Sequence, residues 1–279
     1  MAFDLTHARH DPAHCLAPGL FRSLKRGDRK KLKLDVTYHY GHSQQARFIG
    51  FEPLGADDMR LLQGLVALGG PKGVILTPRP TADIPKQLRL FLEPKFDAAE
   101  QDALVVRESM SRLLAEIGLT DGGDNIKAVR ASLLRMSNVT VVVKRDIQQI
   151  SFHLLSFAFD EHDERLFVAL NPRIAEAILG DRPHTRIEMS EVRALRTDPA
   201  RLMHQRLCGW IDPGKSGRAE IDTLCSYVWP DKASDATKRQ RQVTARKALA
   251  ELATLNWSIE EYAIGKYEIS RPKPGCCCP

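Results

Sequence analysis

The sequence of 279 residues contains no apolar run that approaches the roughly 20 residues needed for a membrane-spanning helix. We therefore expect no transmembrane segment. Residues 1–7 lack a charged region followed by an apolar stretch, so we expect no secretory signal. Of the six cysteines, three are scattered singly and three, Cys276–Cys278, are adjacent, which is poor spacing for a zinc site. This cysteine usage favours the reducing cytoplasm.

An excess of basic residues gives a net charge of +6 and a sequence pI of about 9.0. This balance suits a polyanion as partner, although many proteins without such a partner share it. A chain of this length exceeds the usual size of a single hydrophobic core and is long enough for two domains of ordinary size. Composition therefore leaves the partner open.

The most informative stretch, residues 236–255, is basic at its start and apolar at its end. At about 100° per residue, Ala245, Ala248, Leu249, Leu252 and Leu255 share one helical face. Arg239, Gln242 and Arg246 fall together on another face. The pattern predicts a helix that docks on a core and projects Arg and Gln side chains, which bond phosphates and base edges. A solvated basic face is the alternative interpretation.

The elements around this helix predict a winged helix–turn–helix. A helix (199–211), a short strand (218–221) and a second helix (222–229) precede it. A hairpin (257–264 and 266–270) turning at Gly265 follows it. Helix, strand, helix, helix and hairpin is the order of that fold.

A similar order is predicted in the first half, which suggests a structural repeat of roughly 90 residues. Its proposed elements are a helix (56–68) closed by Gly69-Gly70-Pro71, a strand (87–92), two helices (106–117 and 125–136) and a hairpin wing (139–143 and 150–159). Strands at 32–40 and 47–51 around a turn at Gly41 precede them, and a strand at 165–170 follows.

The predicted fold class is thus α+β, with two tandem winged helix–turn–helix domains and an N-terminal basic arm. The first domain with its arm takes residues 1–182. The second takes 183–279 and includes the short cysteine-containing tail. The boundary is placed where Gly, Asp and Pro interrupt the periodicity between Gly180 and His184.

The first 30 residues are predicted to be irregular. His7, His10, His14 and Cys15 resemble a metal cluster, but Asp11-Pro12 is expected to break any helix that could align them. We therefore predict no metal and no cofactor. The basic run from Lys25 to Lys33 fits a solvated arm or a phosphate-binding one equally well.

The candidate DNA-binding residues lie on the two helices that would enter the major groove, on the wings and in the arm. They are Lys238, Arg239, Arg241, Gln242, Arg246 and Lys247 in the second half, Lys127, Arg130, Arg135, Lys144 and Arg145 in the first half, Lys266 in the second wing, and Lys25 and Arg26 in the arm.

Two patterns suggest an enzyme, and both fit poorly. Residues 209–216 (GWIDPGKS) match a phosphate-binding loop, with Asp160-Glu161 as a candidate acidic strand end. Such a loop needs a strand before it and a helix after it, whereas the reverse is predicted, and Pro213 removes an amide donor. The sequence around Tyr38, His39 and His42 offers residues of a rolling-circle nuclease, but the two histidines would lie on opposite faces of a strand. No catalytic residue is predicted.

Four long stretches resemble the RepC replication initiators of IncQ-type plasmids, which are iteron-binding initiators. They are residues 9–22 (RHDPAHCLAPGLFR), 87–95 (QLRLFLEPK), 204–215 (HQRLCGWIDPGK) and 221–230 (IDTLCSYVWP). The resemblance covers nearly the whole chain, while residues 121–130 and the cysteine tail diverge. It implies two winged-helix domains that bind directly repeated origin sequences. It also implies opening of adjacent A·T-rich DNA and delivery of a plasmid-encoded hexameric helicase.

The sequence therefore predicts a non-enzymatic plasmid replication initiator that binds double-stranded DNA at iterons and can self-associate. The alternatives are a winged-helix transcriptional repressor and a P-loop ATPase.

Overall fold

The computed structural model describes residues 7–40, 44–160 and 165–274. The turn predicted at Gly41, His42, Glu161 and the tail at Cys276–Cys278 lie outside these ranges. The first part contains β1 (His7–His10), α1 (Pro12–Leu16), α2 (Asp28–Lys31), β2 (Leu34–Tyr40), β3 (Gln44–Gly50), α3 (Ala56–Lys72), β4 (Val74–Leu76), α4 (Asp83–Leu92) and a 3-10 helix (Phe96–Glu100). The middle part contains β5 (Ala103–Ser109), α5 (Met110–Glu116), α6 (Gly123–Ser137), β6 (Thr140–Arg145), β7 (Gln148–His153), β8 (Leu155–Asp160), β9 (Arg165–Leu170) and α7 (Pro172–Leu179).

The last part contains β10 (Thr185–Glu188), α8 (Met189–Ala194), α9 (Asp198–Trp210), β11 (Ser216–Glu220), α10 (Ile221–Ser226), α11 (Asp235–Ala253), β12 (Ser258–Ala263) and β13 (Lys266–Ser270). The fold is therefore mixed α and β. None of the helices in the described ranges is both long and apolar enough to span a membrane.

In the second half, three antiparallel strands form a sheet in the order β11-β13-β12. Helices α9 and α11 pack together, and α10 packs on α11. Ala245, Ala248, Leu249 and Leu252 of α11 are buried, which confirms the helical face expected from their spacing. Leu255 lies beyond the helix end and is partly buried.

In the first half, the strands β4-β5-β9-β8 form one antiparallel sheet. Its last three members repeat the arrangement of β11-β13-β12, because the strand before the helix pair is hydrogen-bonded to the last strand of the hairpin. The helices between them are α5 and α6. The apolar face predicted for α6 is confirmed, since Val129, Leu133 and Met136 are buried and Ile126 packs against the core.

The hairpin predicted directly after α6 is confirmed as β6–β7, but it does not occupy the position that β12–β13 occupies in the second half. The hairpin β6–β7 directly after α6 pairs with β3, giving a separate sheet β2-β3-β6-β7. The stretch 150–159 belongs to two strands, β7 and β8, and the hairpin that corresponds to β12–β13 is β8–β9. Apolar alternation identified strands correctly here, but alternation does not determine which strand is the hydrogen-bonding partner.

Three other predicted elements differ from the structure: the strand predicted at 87–92 is wrong, and two predicted helices have other bounds. Residues 87–92 lie in the helix α4, which packs mainly on β8, and Leu88 and Leu92 are buried at helical spacing in one apolar cluster with Ala103 and Val105. Helix α3 continues through Gly69 to Lys72 instead of stopping there. A Cβ atom on Gly69 would lie 2.9 Å from Leu104 Cδ2, so glycine permits close packing of α3 on β5. The segment 103–109 is a strand before the helix begins at Met110.

The expectation of an irregular N-terminus is wrong for residues 7–10, 12–16 and 28–31, which form β1, α1 and α2. Strand β1 pairs with β10 in an antiparallel two-stranded sheet. Pro12 occupies the first turn of α1, where a missing amide hydrogen costs nothing, so it starts the helix rather than breaking it. Asp11 is buried, and it accepts hydrogen bonds from Arg173 at 3.0 Å and from His14 at 2.6 Å. The boundary between residues 182 and 183 stays a prediction.

The buried carboxylate of Asp58, at the start of α3, joins three segments. Its Oδ2 accepts bonds from the amide of Gly55 at 2.8 Å and from Arg29 Nη1 at 2.9 Å. Its Oδ1 accepts bonds from Ser132 Oγ at 2.6 Å and Arg135 Nη2 at 2.8 Å, both on α6. Burial alone would raise the pKa of Asp58, but the two guanidinium groups and the hydrogen bonds lower it overall.

We expect Asp58→Asn to lower the free energy of unfolding by about 1.5–3 kcal/mol, because two partly buried guanidinium groups lose their charge-assisted hydrogen bonds to the buried carboxylate. The carboxylate's lowered pKa means that its stabilisation is present above pH 3.8, its ordinary pKa, and is lost as the pH falls below it. Urea unfolding at pH 7 and pH 3.5 measures both effects. Asp35→Asn, which breaks the exposed pair with Arg47, is the matched control and should change stability little. Equal losses for the two variants would contradict the assignment.

Candidate nucleic-acid interface

Helix α11 presents its basic leading half to solvent. Ser234 caps the helix, since its hydroxyl accepts the amide hydrogen of Thr237. Lys238, Arg239 and Lys247 are exposed. In the described part of the chain, Arg239 and Lys247 form no ion pair, and Lys238 has only a 3.5 Å contact with the exposed Asp235. These three cations are therefore available to an external anion.

The other predicted residues of α11 hold neighbouring elements in place. Gln242 Nε2 donates to Asp222 Oδ1 of α10 at 2.7 Å. Arg241 Nη1 donates to the carbonyl of Asp231 at 2.7 Å, and its guanidinium lies over the ring of Trp229. These bonds orient α11 relative to α10, so both residues act first as positioning groups.

Arg246 is half-exposed and faces the hairpin β12–β13. Its Nε donates to the hydroxyl of Tyr267 at 3.2 Å, and Nη2 lies 3.9 Å from Glu261 Oε1. The contact with Glu261 is long and exposed, so a phosphate can replace it at little cost.

The hairpin β12–β13, in which Lys266 was predicted to bind DNA, carries exposed acidic side chains. Lys266 lies 3.6 Å from Glu220, and Arg218 pairs with Glu268 at 3.0 Å. Glu260 and Glu261 are also exposed. The tip carries Ile264, which is 97% exposed. Lys266 is thus a weaker candidate for phosphate binding than the cations of α11. The glutamates Glu260, Glu261 and Glu268 in the sequence of the hairpin already indicated this.

On α6, the predicted cations divide between the surface and the interior. Lys127 is exposed, and the guanidinium of Arg130 lies 4.6 Å from the ring centroid of Phe159 in β8. Arg135 is turned inward to Asp58, so its geometry favours a structural role over contact with DNA. Nothing in its sequence position distinguished it from the other two.

Lys144 and Arg145 lie at the turn of β6–β7, beside the fully exposed Ile147. Because this hairpin belongs to the sheet with β3, they are not at the tip of the hairpin that corresponds to β12–β13. Lys25 and Arg26 are exposed, as are Lys30, Lys31 and Lys33 in the same run.

Residues 209–216 form the end of α9, a turn and the start of β11. The amide of Gly214 donates to the carbonyl of Arg271 at 3.0 Å, and that of Lys215 donates to the carbonyl of Asp212 at 3.0 Å. Gly209 is packed so closely that a Cβ would lie 3.0 Å from Cys15 Cβ. The amides that a phosphate would need are thus already bonded, and no strand-to-helix cradle exists at these residues.

A buried polar cluster links α8 and α9 to residue 257. His204 Nε2 lies 2.7 Å from Glu191 Oε2 and 3.4 Å from Cys208 Sγ, and Trp257 Nε1 donates to Glu191 Oε1 at 3.2 Å. The ligand atoms of Glu191, His204 and Cys208 lie within 4.8 Å of one another, so the three could hold a metal ion. Their mutual hydrogen bonds also account for their burial without one. This cluster was not predicted from the sequence, although the spacing of His204 and Cys208, four apart in a helix, was a signal.

The comparison with protein families matches residues 2–273 to the family described as replication protein C (RepC). Among solved structures, the chain is similar to domains 2 and 3 of RctB, determined as selenomethionine derivatives, with a TM-score of 0.57 and 8% identity over 94% of this chain and 98% of that one. A second structure of RctB domains 2–3, spanning residues 155–483, gives a TM-score of 0.57 and 9% identity over 94% and 96% of the two chains. At this identity the likeness shows the fold alone. No curated protein matches the chain.

The buried cluster predicts a pH dependence of stability. Burial disfavours protonation of His204, but Cys208 and Glu191 outweigh it and raise the pKa of His204 to about 10. A pKa raised in the folded state stabilises the fold fully below the unfolded value near 6.5, and this stabilisation is lost as the pH rises toward 10. We expect the free energy of unfolding to fall between pH 7 and 10, with a slope of up to about 1.4 kcal/mol per pH unit.

Urea unfolding across this pH range measures the slope. His204→Gln should remove most of it, whereas His39→Gln, at an exposed position of β2, should leave it unchanged. An unchanged slope in His204→Gln would mean that another group titrates.

Proposed function

The chain belongs to the replication protein C (RepC) family, and on this basis we propose that it initiates plasmid replication by binding directly repeated origin sequences. The observation that carries the proposal is the repeated arrangement of β5-β9-β8 and β11-β13-β12, each with two helices after its first strand, although in the first unit the hairpin β6–β7 is inserted before β8–β9. We interpret both units as winged helix–turn–helix folds. Helices α6 and α11 are then the second helices of the pairs, which enter the major groove in this fold.

The two helices are proposed to contribute differently. Helix α11 carries Lys238, Arg239 and Lys247 exposed on its surface, so it supplies phosphate contacts and base reading. The exposed face of α6 carries Lys127 but also Ala131 and Leu134, which suit apolar contact with thymine methyl groups. Two such helices about 34 Å apart would cover adjacent major-groove segments in one monomer.

Initiation needs more than binding. We propose that several copies on adjacent repeats bend or strain the duplex and so lower the cost of melting at flexible, A·T-rich steps. Delivery of a plasmid-encoded hexameric helicase and self-association are carried over from the family resemblance. The proposed setting is the cytoplasm.

The rival with the same fold is a transcriptional repressor, which would bind a promoter palindrome as a dimer. Footprinting on the cognate origin separates the two. An initiator should protect tandem direct repeats with one orientation, and protection of inverted repeats alone would favour the repressor.

We further propose that the protein is not an ATPase. The bonded amides at Gly214 and Lys215 and the helix-to-strand order at residues 209–216 support this. Phosphate release in the presence of ATP and magnesium would contradict it.

We expect Arg239→Ala and Arg246→Ala each to weaken binding to the cognate repeat by about 1–3 kcal/mol, the usual size of an arginine contact to a base edge. Mobility-shift titration on cognate and scrambled duplexes measures the loss. Lys86→Ala, which removes an exposed cation of α4, is the control and should bind like the wild type. Thermal unfolding is needed for Arg246→Ala, because that variant also loses the bond to Tyr267. Wild-type affinity in both arginine variants would contradict the assignment of α11.

A further inference from the structure

We propose that residues 22–33, here called the basic connector, form a third DNA-contacting element. The connector would bind the phosphate backbone between the two major-groove segments read by α6 and α11. The inference rests on the proposed function and adds the position and attachments of a segment whose sequence fits a solvated arm or a phosphate-binding one equally well.

The first end of the connector is attached beside α11. Arg22 forms an ion pair with Asp231, in the turn between α10 and α11. The amide of Ser23 donates to the carbonyl of Val228 at 3.0 Å. Arg241 of α11 donates to the carbonyl of Asp231. The chain thus enters the connector at the turn that leads into the basic half of α11.

The second end is attached to α6 through Asp58. Arg29 Nη1 donates to Asp58 Oδ2 at 2.9 Å and lies 3.3 Å from the carbonyl of Pro53. The other oxygen of Asp58 accepts bonds from Ser132 and Arg135 of α6. Fully extended, the chain from Arg22 to Arg29 spans at most about 25 Å. The connector therefore bridges the two helix pairs over a distance shorter than one turn of DNA.

The cations of the connector, both between its two attachments and just after the second one, are exposed to solvent. Gly27 has φ of +92°, a left-handed conformation that favours glycine, and Asp28 Oδ2 accepts the amide of Lys25 at 2.8 Å. This tight turn exposes Lys25 and Arg26. Lys30, Lys31 and Lys33 are exposed beyond it, and none of the five forms an ion pair with a residue in the described ranges. Asp28, the one acid of the connector, is occupied in the turn.

The attachments and the charge together point to DNA. A loose solvated arm does not require ion pairs at both ends, and like charges held close together repel one another unless an anion neutralises them. A phosphate backbone running past both helix pairs supplies such anions at regular spacing. Because phosphates carry no base identity, the connector should add affinity and register without adding sequence preference.

The test is a salt titration of the full chain on a single-repeat duplex and on a scrambled duplex. The main variant is Lys25→Ala/Arg26→Ala/Lys30→Ala, and Arg26→Ala alone is the second. The matched control is Lys86→Ala/Arg79→Ala/Lys95→Ala, which removes the same charge from exposed positions in and around α4. Thermal unfolding shows whether each variant is folded.

The wild type should lose about 10³–10⁵-fold in affinity between 50 and 200 mM salt if it neutralises six to ten phosphates. We expect the triple variant to weaken binding to both duplexes by similar factors and to reduce the slope of log K against log salt by about 2–3, and Arg26→Ala by about 0.9. Hydroxyl-radical footprinting should show loss of protection between the two helix sites only in the connector variants.

A slope like that of the control, with repeat-specific binding by the wild type, would overturn the role of the connector and leave the proposed function intact. Loss of preference for the cognate repeat in the triple variant would also overturn the role of the connector as a phosphate-binding element. The connector would then contribute to base recognition. If the wild type itself binds cognate and scrambled duplexes equally, the proposed function fails.

Discussion

The ion pairs of Asp58 hold α6 and the connector in place against the start of α3. One carboxylate, removed from water, collects donors from the start of α3, from α6 and from the connector. Two arginines around one acid leave an excess positive charge at this point, which favours a nearby anion. The cost of burying the carboxylate is met only while both guanidinium groups stay in place. The orientation of α6 and the path of the connector are therefore coupled to the same buried group.

Helices, strands and turns that are determined by residues close together in the sequence could be predicted from it. The buried face of α11 follows from the spacing of Ala245, Ala248, Leu249 and Leu252, and the hairpin at Gly265 follows from its turn chemistry, with φ of +72° at that glycine. From α9 to β13 the elements of the second half were predicted in the right order, because they follow one another without insertion, whereas β10 was not predicted. Family resemblance added the biological role, which neither periodicity nor charge could supply.

Features that depend on distant partners could not be predicted. The pairing of β6 with β3 instead of β5 depends on residues far apart in sequence, so the wing of the first half was misplaced. Leu88 and Leu92 fit a strand or a helix until the sheet beneath them is known. Arg135 looked like Lys127 and Arg130, because its partner Asp58 lies on another helix. The Glu191 cluster was missed because its members meet only after α8 and α9 pack.

The pairing of β1 with β10 has a consequence for biosynthesis. His7 lies opposite Glu188 in this pairing, so β1 has no hydrogen-bonded strand partner until residues 185–188 have been made. The buried group around Asp11 and Arg173 has the same delay. Contacts of such long sequence separation form late, because the loop must close before they contribute. A nascent chain stalled before residue 185 would therefore lack the strand partner of β1.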